Sequence, residues 1–245
     1  DPGKHFKALL YQGNTDQVRP VVGAGFAPDF VWQKDRIAAN WHRITDSVRG
    51  NYTLYTNATT VEALAESNGH ICSLDSDGFT ADRGSGPGDA TNGSGKYVGW
   101  CWKAGGPAVT NNVGDITSQV SVNQTAGFSI VSYTGNGGAT GTTVGHGLSK
   151  APSFIIAKNR DNTNSWPTYH KSQSNLGATS ADVVYLDLTA PGTNDNIRNV
   201  NDDTFGLLSW AGTNNNGDKF IAYCWTEIEG YSRFASYLGN GNGDG

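Results

Sequence analysis

The sequence predicts an all-β protein of tandem β-sandwich units, jelly-roll or lectin-like, joined by many Gly/Asn-rich loops. Three observations predict it. Glycine supplies 33 of the 245 residues and, with frequent Asn, Thr and Ser, provides tight turns. Short segments rich in β-branched and aromatic residues alternate between apolar and polar positions. One series of such segments then occurs twice in the same order.

Strands are expected at Lys7–Tyr11, Phe30–Lys34, Tyr52–Thr56, Tyr97–Trp102, Phe128–Tyr133, Phe154–Lys158, Val183–Leu188 and Lys219–Trp225. Turn residues separate them, which fits a sandwich and not a βαβ arrangement. Only Thr60–Ser67 carries a helical pattern, and a weak one.

The repeat begins with Phe6-Lys7-Ala8-Leu9-Leu10-Tyr11-Gln12-Gly13-Asn14, which returns as Phe128-Ser129-Ile130-Val131-Ser132-Tyr133-Thr134-Gly135-Asn136. Pro28-Asp29-Phe30-Val31-Trp32 returns as Pro152-Ser153-Phe154-Ile155-Ile156, the proline opening a strand where a missing N–H is tolerated. Trp41 is matched to Trp166, Phe79 to Phe205, and Tyr97-Val98-Gly99-Trp100-Cys101-Trp102 to Phe220-Ile221-Ala222-Tyr223-Cys224-Trp225. These matches divide the chain into a first sandwich repeat, 1–106, and a second, 107–230. Residues 231–245 read as the start of a further repeat or a tail, because Tyr237-Leu238-Gly239-Asn240 echoes Tyr133-Thr134-Gly135-Asn136. The first copy carries an extra connecting stretch, Pro107 to Ala126, in which Asp115–Val122 alternates like an added strand. With no Met at all, the chain reads as a piece of something longer.

Seven Trp, ten Tyr and nine Phe at a net charge of −5 exclude a disordered chain. The 17 Lys and Arg are scattered under a net negative charge, so nucleic acid is not an expected partner. No apolar run approaches the roughly 18 residues of a membrane span, so no membrane insertion is expected. Cys72, Cys101 and Cys224 form no CxxC pair and no zinc spacing, and Cys101 and Cys224 sit at matching places in different copies. They read as buried apolar residues, with no cofactor and no metal.

Few residues suggest chemistry. Lys34 and Arg36, echoed by Lys158 and Arg160, read first as charges on a solvated strand edge and, as the alternative, as a clamp for an anion. Trp41 and Trp166 each follow a polar loop, where an exposed indole could stack on a sugar ring or, covered, could close the end of a sandwich. Glu227 and Glu229, two apart on an expected strand, are the only candidate pair for glycoside hydrolysis, and the first copy lacks them. Asp75-Ser76-Asp77-Gly78 starts like a calcium loop without its closing Glu and reads better as a turn.

Several motifs as a group carry a resemblance: Phe30-Val31-Trp32-Gln33-Lys34-Asp35-Arg36, Asp46-Ser47-Val48-Arg49-Gly50, Asp75-Ser76-Asp77-Gly78-Phe79, Trp100-Cys101-Trp102-Lys103-Ala104-Gly105-Gly106 and Val144-Gly145-His146-Gly147-Leu148. Over nearly the whole chain the sequence resembles a repeat domain of tail-fibre-like virion proteins from marine bacteriophages, including those of cyanobacteria. The resemblance implies a lectin-like sandwich in a virion or extracellular setting and brings no catalytic residues. The expected function is therefore non-catalytic: structural display and adhesion to a host-surface glycan in a virion appendage. Expected partners are other copies of the chain in a homo-oligomer, other virion proteins and a host-surface polysaccharide. The competing expectations are a purely architectural fibre subunit and a polysaccharide depolymerase.

Overall fold

The computed structural model describes residues 1–86, 90–172, 184–189, 196–237 and 240–241. The first half contains β1 (Phe6–Gln12), β2 (Val18–Val22), β3 (Phe30–Asp35), β4 (Arg43–Asp46), β5 (Gly50–Tyr55), β6 (Ala63–Leu64), β7 (His70–Asp75), β8 (Gly78–Asp82) and β9 (Lys96–Trp102). They form one large sheet, β1-β9-β3-β4-β5-β6, and one small sheet, β2-β8-β7. The second half contains β10 (Val109–Asn111), β11 (Ser118–Asn123), β12 (Phe128–Thr134), β13 (Thr143–Gly145), β14 (Phe154–Asn159), β15 (Pro167–His170), β16 (Val184–Tyr185), β17 (Ile197–Arg198), β18 (Thr204–Leu207) and β19 (Lys219–Trp225). Their sheets are β10-β11-β12-β19-β14-β15-β16 and β13-β18-β17. The order β1-β9-β3-β4-β5 beside β2-β8-β7 thus recurs as β12-β19-β14-β15-β16 beside β13-β18-β17. Among the described residues the only α-helix is a single turn, Ala211–Asn214, and no helix is long and apolar enough to cross a membrane.

Alternation along each strand decides which layer a side chain joins. Leu9, Tyr11, Val31, Tyr97 and Cys101 point from the first large sheet to Val21, Ile71, Phe79 and Ala81 of its small sheet. In the second half Val131, Tyr133, Ile155, Ala222 and Cys224 meet Val144, Ile197, Phe205 and Leu207 in the same way. The opposite faces of the two large sheets meet each other. Phe30, Ile44 and Leu54 of the first half share one core with Phe128, Ile130, Ile156, Trp166, Ile221 and Tyr223 of the second. Four layers result, small, large, large and small, so each half is a sandwich and the two are joined through their large sheets.

The outer cores are closed at one end by matching bonds. The buried Tyr11 hydroxyl donates to the Thr91 carbonyl at 2.8 Å, and the buried Tyr133 hydroxyl donates to Thr213 at 2.9 Å. Asn92 donates to the Asn14 side chain and accepts from the Asn14 backbone N–H, and Asn214 treats Asn136 identically. Burial holds both phenols well above their ordinary pKa, so they remain donors. Gly99 is required at its place in β9, because a Cβ there would lie 2.7 Å from the Phe79 ring.

Where expectation and structure differ, local geometry explains it. Thr60–Ser67 is not helical: β6 pairs with Tyr52 and Thr53, and Ala65 takes a positive φ of 50° that breaks any helix. The added strand exists as β11, and β10 extends it. Of Val183–Leu188 only β16 is a strand, and Val183 lies outside the described residues. Leu238 and Gly239, inside the echo of the repeat start, also lie outside them. Before that point the chain folds back on the second half, with Phe234 stacked on Phe154 at 5.6 Å.

Two expectations follow from buried groups. Cys101 and Cys224 are buried and free, and Cys72 is free, so titration under denaturing, non-reducing conditions counts three thiols; a count of one would reveal a disulfide. His146 is fully buried, accepts the Leu148 N–H on Nδ1 at 3.1 Å, and places Nε2 3.1 Å from the Asn201 carbonyl. Burial lowers its pKa from the ordinary 6.5, while Asp202 and Asp203 partly oppose the shift. The unfolded ring therefore takes up a proton where the folded ring does not, and stability falls as pH drops below about 6.5. Denaturant midpoints measured from pH 7.5 to 5 are expected to fall more steeply for the parent chain than for His146→Gln, and parallel slopes would exclude His146 as a source.

Candidate functional site

Three of the six residues expected to bind a ligand are drawn into the junction between the large sheets. Trp166 is fully buried, and its indole N–H is shared between the carbonyls of Tyr55 at 2.9 Å and Ala58 at 3.0 Å. Lys158 is fully buried as well, donating to the carbonyls of Asn159, Asn162 and Thr59. Burial pulls its pKa down from 10.5 to about 8. Arg160 grips Glu62 with two bonds of 2.9 and 2.7 Å, and the Glu62 N–H donates to the Arg160 carbonyl. The reading of Trp166, Lys158 and Arg160 as surface binders is corrected: the loop after β5 lies over all three.

That loop belongs to a polar network in the centre of the molecule. Asp46 ends β4, and its Oδ1 accepts the N–H groups of Val48 and Arg49 in a tight turn. Its Oδ2 accepts Arg49 Nε at 2.6 Å and the Tyr223 hydroxyl at 2.7 Å. Arg49 also donates to the Ile44 and Tyr52 carbonyls and approaches Glu62 at 3.5 Å. Burial alone would lower the Arg49 pKa, but the charge of Asp46, with Tyr223 and Glu62, outweighs it and raises the guanidinium further.

The other three residues lie outside the junction. Lys34 ties its ammonium to the carbonyls of Asp35, Ala38 and Asn40, pinning the loop after β3 instead of reaching for an anion. Arg36 is exposed and has no ion-pair partner among the described residues. Trp41 is 47% exposed and leans edge-on against Tyr55, ring centroids 5.0 Å apart. Strand pairing also corrects its partner in the repeat. Counted from Trp32 opposite Ile44 and Ile156 opposite Thr168, Trp166 holds the place of His42, not Trp41. A one-residue shift sends the side chain to the other face.

Trp41 borders a groove of about 440 Å³ lined also by Asn40, Arg43, Tyr55, Glu66 and Asn68. Arg43 is buried and spent on the carbonyls of Trp41, Asn68 and Gly69, with its guanidinium 5.1 Å over the Tyr55 ring. Burial pushes the Tyr55 phenol up to about 12, with Glu66 adding to the rise and Arg43 opposing it. The groove therefore offers an indole face, a carboxylate and two side-chain amides, and no free cation among the described residues that line it.

Glu227 and Glu229 follow the end of β19 and line a shallow depression with Lys150, Tyr231 and Arg233. Glu227 is bound by Lys171 at 2.6 Å and by the Phe234 N–H at 2.8 Å, and the Lys171 bond lowers its pKa. Asp77 accepts the N–H groups of Gly23 and Gly25, while Asp75 accepts the Ser73 and Thr80 hydroxyls, so both carboxylates organise a hairpin. No group of three His, Cys, Asp or Glu among the described residues is placed to hold a metal ion.

The whole length of the chain, residues 1–245, matches one family. The chain belongs to the family described as Domain of unknown function (DUF7483). No curated protein and no solved structure matches it. The family match takes in both halves together, and with them the junction that neither half forms alone.

The junction quartet of Asp46, Arg49, Glu62 and Tyr223 was missed from sequence. Its one visible signal was Asp46-Ser47-Val48-Arg49-Gly50, a turn whose glycine takes φ 75°. Asp46→Ala leaves the Arg49 guanidinium buried beside no carboxylate of its own turn and is expected to cost about 3–5 kcal/mol. Tyr223→Phe removes one charge-assisted bond and is expected to cost about 1.5–3 kcal/mol. Urea unfolding of both variants checks the order; equal losses would show that the ion pair adds nothing beyond the phenol bond.

Proposed function

We propose that the chain is a non-catalytic display and adhesion module of a virion appendage, holding a host-surface glycan weakly in the Trp41 groove. The observation that carries the reading is the exposed Trp41 indole at the edge of a groove lined also by Tyr55, Glu66 and Asn68. Sugars present C–H faces to aromatic rings and hydroxyls to carboxylates and amides, and a pocket of a few hundred Å³ suits one or two residues of a chain. Because Arg43 is committed to carbonyls and Glu66 is the charge that lines the groove, a neutral glycan fits better than an acidic one.

One feature speaks against glycoside hydrolysis at the Glu227–Glu229 pair. Glu227, tied to Lys171, stays ionised, whereas a glycosidase pair needs one carboxyl held protonated. The virion setting is supported by the motifs shared with the marine phage repeat domain. Weak binding suits a module displayed in many copies, since linked sites can raise effective affinity by about 10²–10⁴.

The test is an array of marine bacterial surface polysaccharides, neutral and acidic, probed with the parent chain and with Trp41→Ala and Glu66→Ala. Binding to neutral glycans is expected to weaken at least about tenfold in either variant, the equivalent of one well-formed contact. Undiminished binding would remove the groove from consideration. Chromatography of the incubated glycan adds the second readout: oligosaccharides whose release Glu227→Gln abolishes would establish a depolymerase instead.

A further inference from the structure

One wall of the Trp41 groove is held from the other half of the molecule. Trp41 and Tyr55 belong to the first half, and Thr60, Val61 and Ala63 of the segment after β5 add to the lining. At its start this segment is tied to its own half: the Thr56 N–H donates to the His42 carbonyl, and the Asn57 side chain accepts the His42 N–H. At its end Ala63 pairs with Thr53. Between these two anchors the second half takes hold of it.

Lys158 donates to the Thr59 carbonyl at 3.2 Å. Arg160 closes its fork on the Glu62 carboxylate at 2.9 and 2.7 Å, and its carbonyl accepts the Glu62 N–H at 3.0 Å. Trp166 adds its indole N–H to the carbonyls of Tyr55 and Ala58 just upstream. Thr60 and Val61 therefore sit between two clamps, one on Thr59 and one on Glu62. A bidentate fork fixes direction as well as distance. A wall ordered in advance spares a ligand the cost of ordering it, so clamping raises affinity without adding a contact.

We infer that Lys158 and Arg160 are positioning residues of the glycan groove: without touching the sugar, they hold Thr60 and Val61 of the first half in the place a bound ring requires. This role rests on the adhesion reading of the groove and adds that the second half completes the site. A first half by itself would carry Trp41 and Tyr55 but leave the wall unclamped.

The Lys158 clamp has a signature of its own. The ammonium faces Glu62 from the loop after β5 and Asp187 from beyond β16, which both favour its charge, but burial outweighs them and brings the pKa down to about 8. Arg160, two positions along β14, is engaged by Glu62. Above that pH the neutral amine has two N–H groups for the three carbonyls of Thr59, Asn159 and Asn162. Burial lowers His42, beside Trp41, below its ordinary 6.5 and raises Tyr55 to about 12, so neither titrates between pH 7 and 9.5.

The full chain is compared with Arg160→Gln and Lys158→Met in two measurements: amide hydrogen exchange over residues 59–63, and affinity for the neutral polysaccharide that the parent chain holds most tightly on the array. In each variant the segment is expected to exchange at least about fivefold faster while β3, β4 and β9 stay protected, and the glycan to bind at least about fivefold more weakly. Arg160→Lys keeps the charge without the fork and is expected to fall between. Raising the pH from 7 to 9.5 is expected to weaken parent binding at least about threefold and to leave Lys158→Met flat. The pH series on the parent chain needs no substitution, so a variant that fails to fold does not remove the test. Unchanged exchange in both variants overturns the inference, as does faster exchange with undiminished binding, parent binding that is level across this pH range, or a pH slope that Lys158→Met retains. A parent chain that binds no glycan refutes the adhesion reading instead, while the exchange comparison still decides whether the second half holds the wall.

Discussion

The Asp46 carboxylate and the Arg49 guanidinium, both shut away from solvent, set the terms on which the rest of the molecule is arranged. Removing two charges from water is costly unless every lone pair and N–H finds a partner. Here the partners come from both halves: backbone N–H groups and carbonyls of the β4–β5 turn, the Tyr223 hydroxyl from the middle of the second large sheet, and Glu62, which Arg160 holds from the second half. The pair is satisfied in one relative placement of the sheets. Apolar contacts between Phe30, Tyr223 and Trp225 supply area, but aromatic faces slide; the polar quartet supplies the register.

Much of the architecture was legible because strand alternation and turn chemistry are local. Seven of the eight expected strands lie within or close to observed ones, and the two stretches of aromatic residues ending in Cys-Trp occupy the same place in the two large sheets. The failures are equally physical. Thr60–Ser67 has a helix-like spacing, but Glu62 is held by Arg160, a residue almost a hundred positions away, and the segment follows that bond. Trp41 was matched to Trp166 by residue type, and only pairing across β3–β4 and β14–β15 shows that Trp166 aligns with His42. Sequence similarity cannot resolve a shift of one residue, yet in a strand that shift exchanges inside for outside.

The candidate site was less legible for a related reason. Lys34 and Arg36 look like Lys158 and Arg160, and local propensity treats them alike. Both lysines pin the loop after their own strand, but the loop after β5 also covers Lys158 and Arg160, whereas Lys34 stays half-exposed and Arg36 exposed. Whether a motif is buried depends on which half covers which, a property of assembly that neither half encodes by itself. Conversely, the Trp41 groove was glimpsed from one exposed indole after a polar loop, but Tyr55, Glu66 and Asn68 converge on it from separate strands and turns.

The placement of β9 and β19 shapes the birth of the protein. Each is an interior strand of its sheet and the last of its half to leave the ribosome, with β9 inserted between β1 and β3. At typical synthesis rates the roughly 90 residues between β1 and β9 take roughly 5 to 20 seconds to appear. Through that interval β1 and β3 have no common neighbour, and Phe30 and Trp32 lack the Trp102 and Trp100 that stand opposite them in β9. The junction waits longer still, since Tyr223 follows Asp46 by 177 residues. The central ion pair is therefore assembled wet, in a half-made protein, and dried only when the second sheet closes over it.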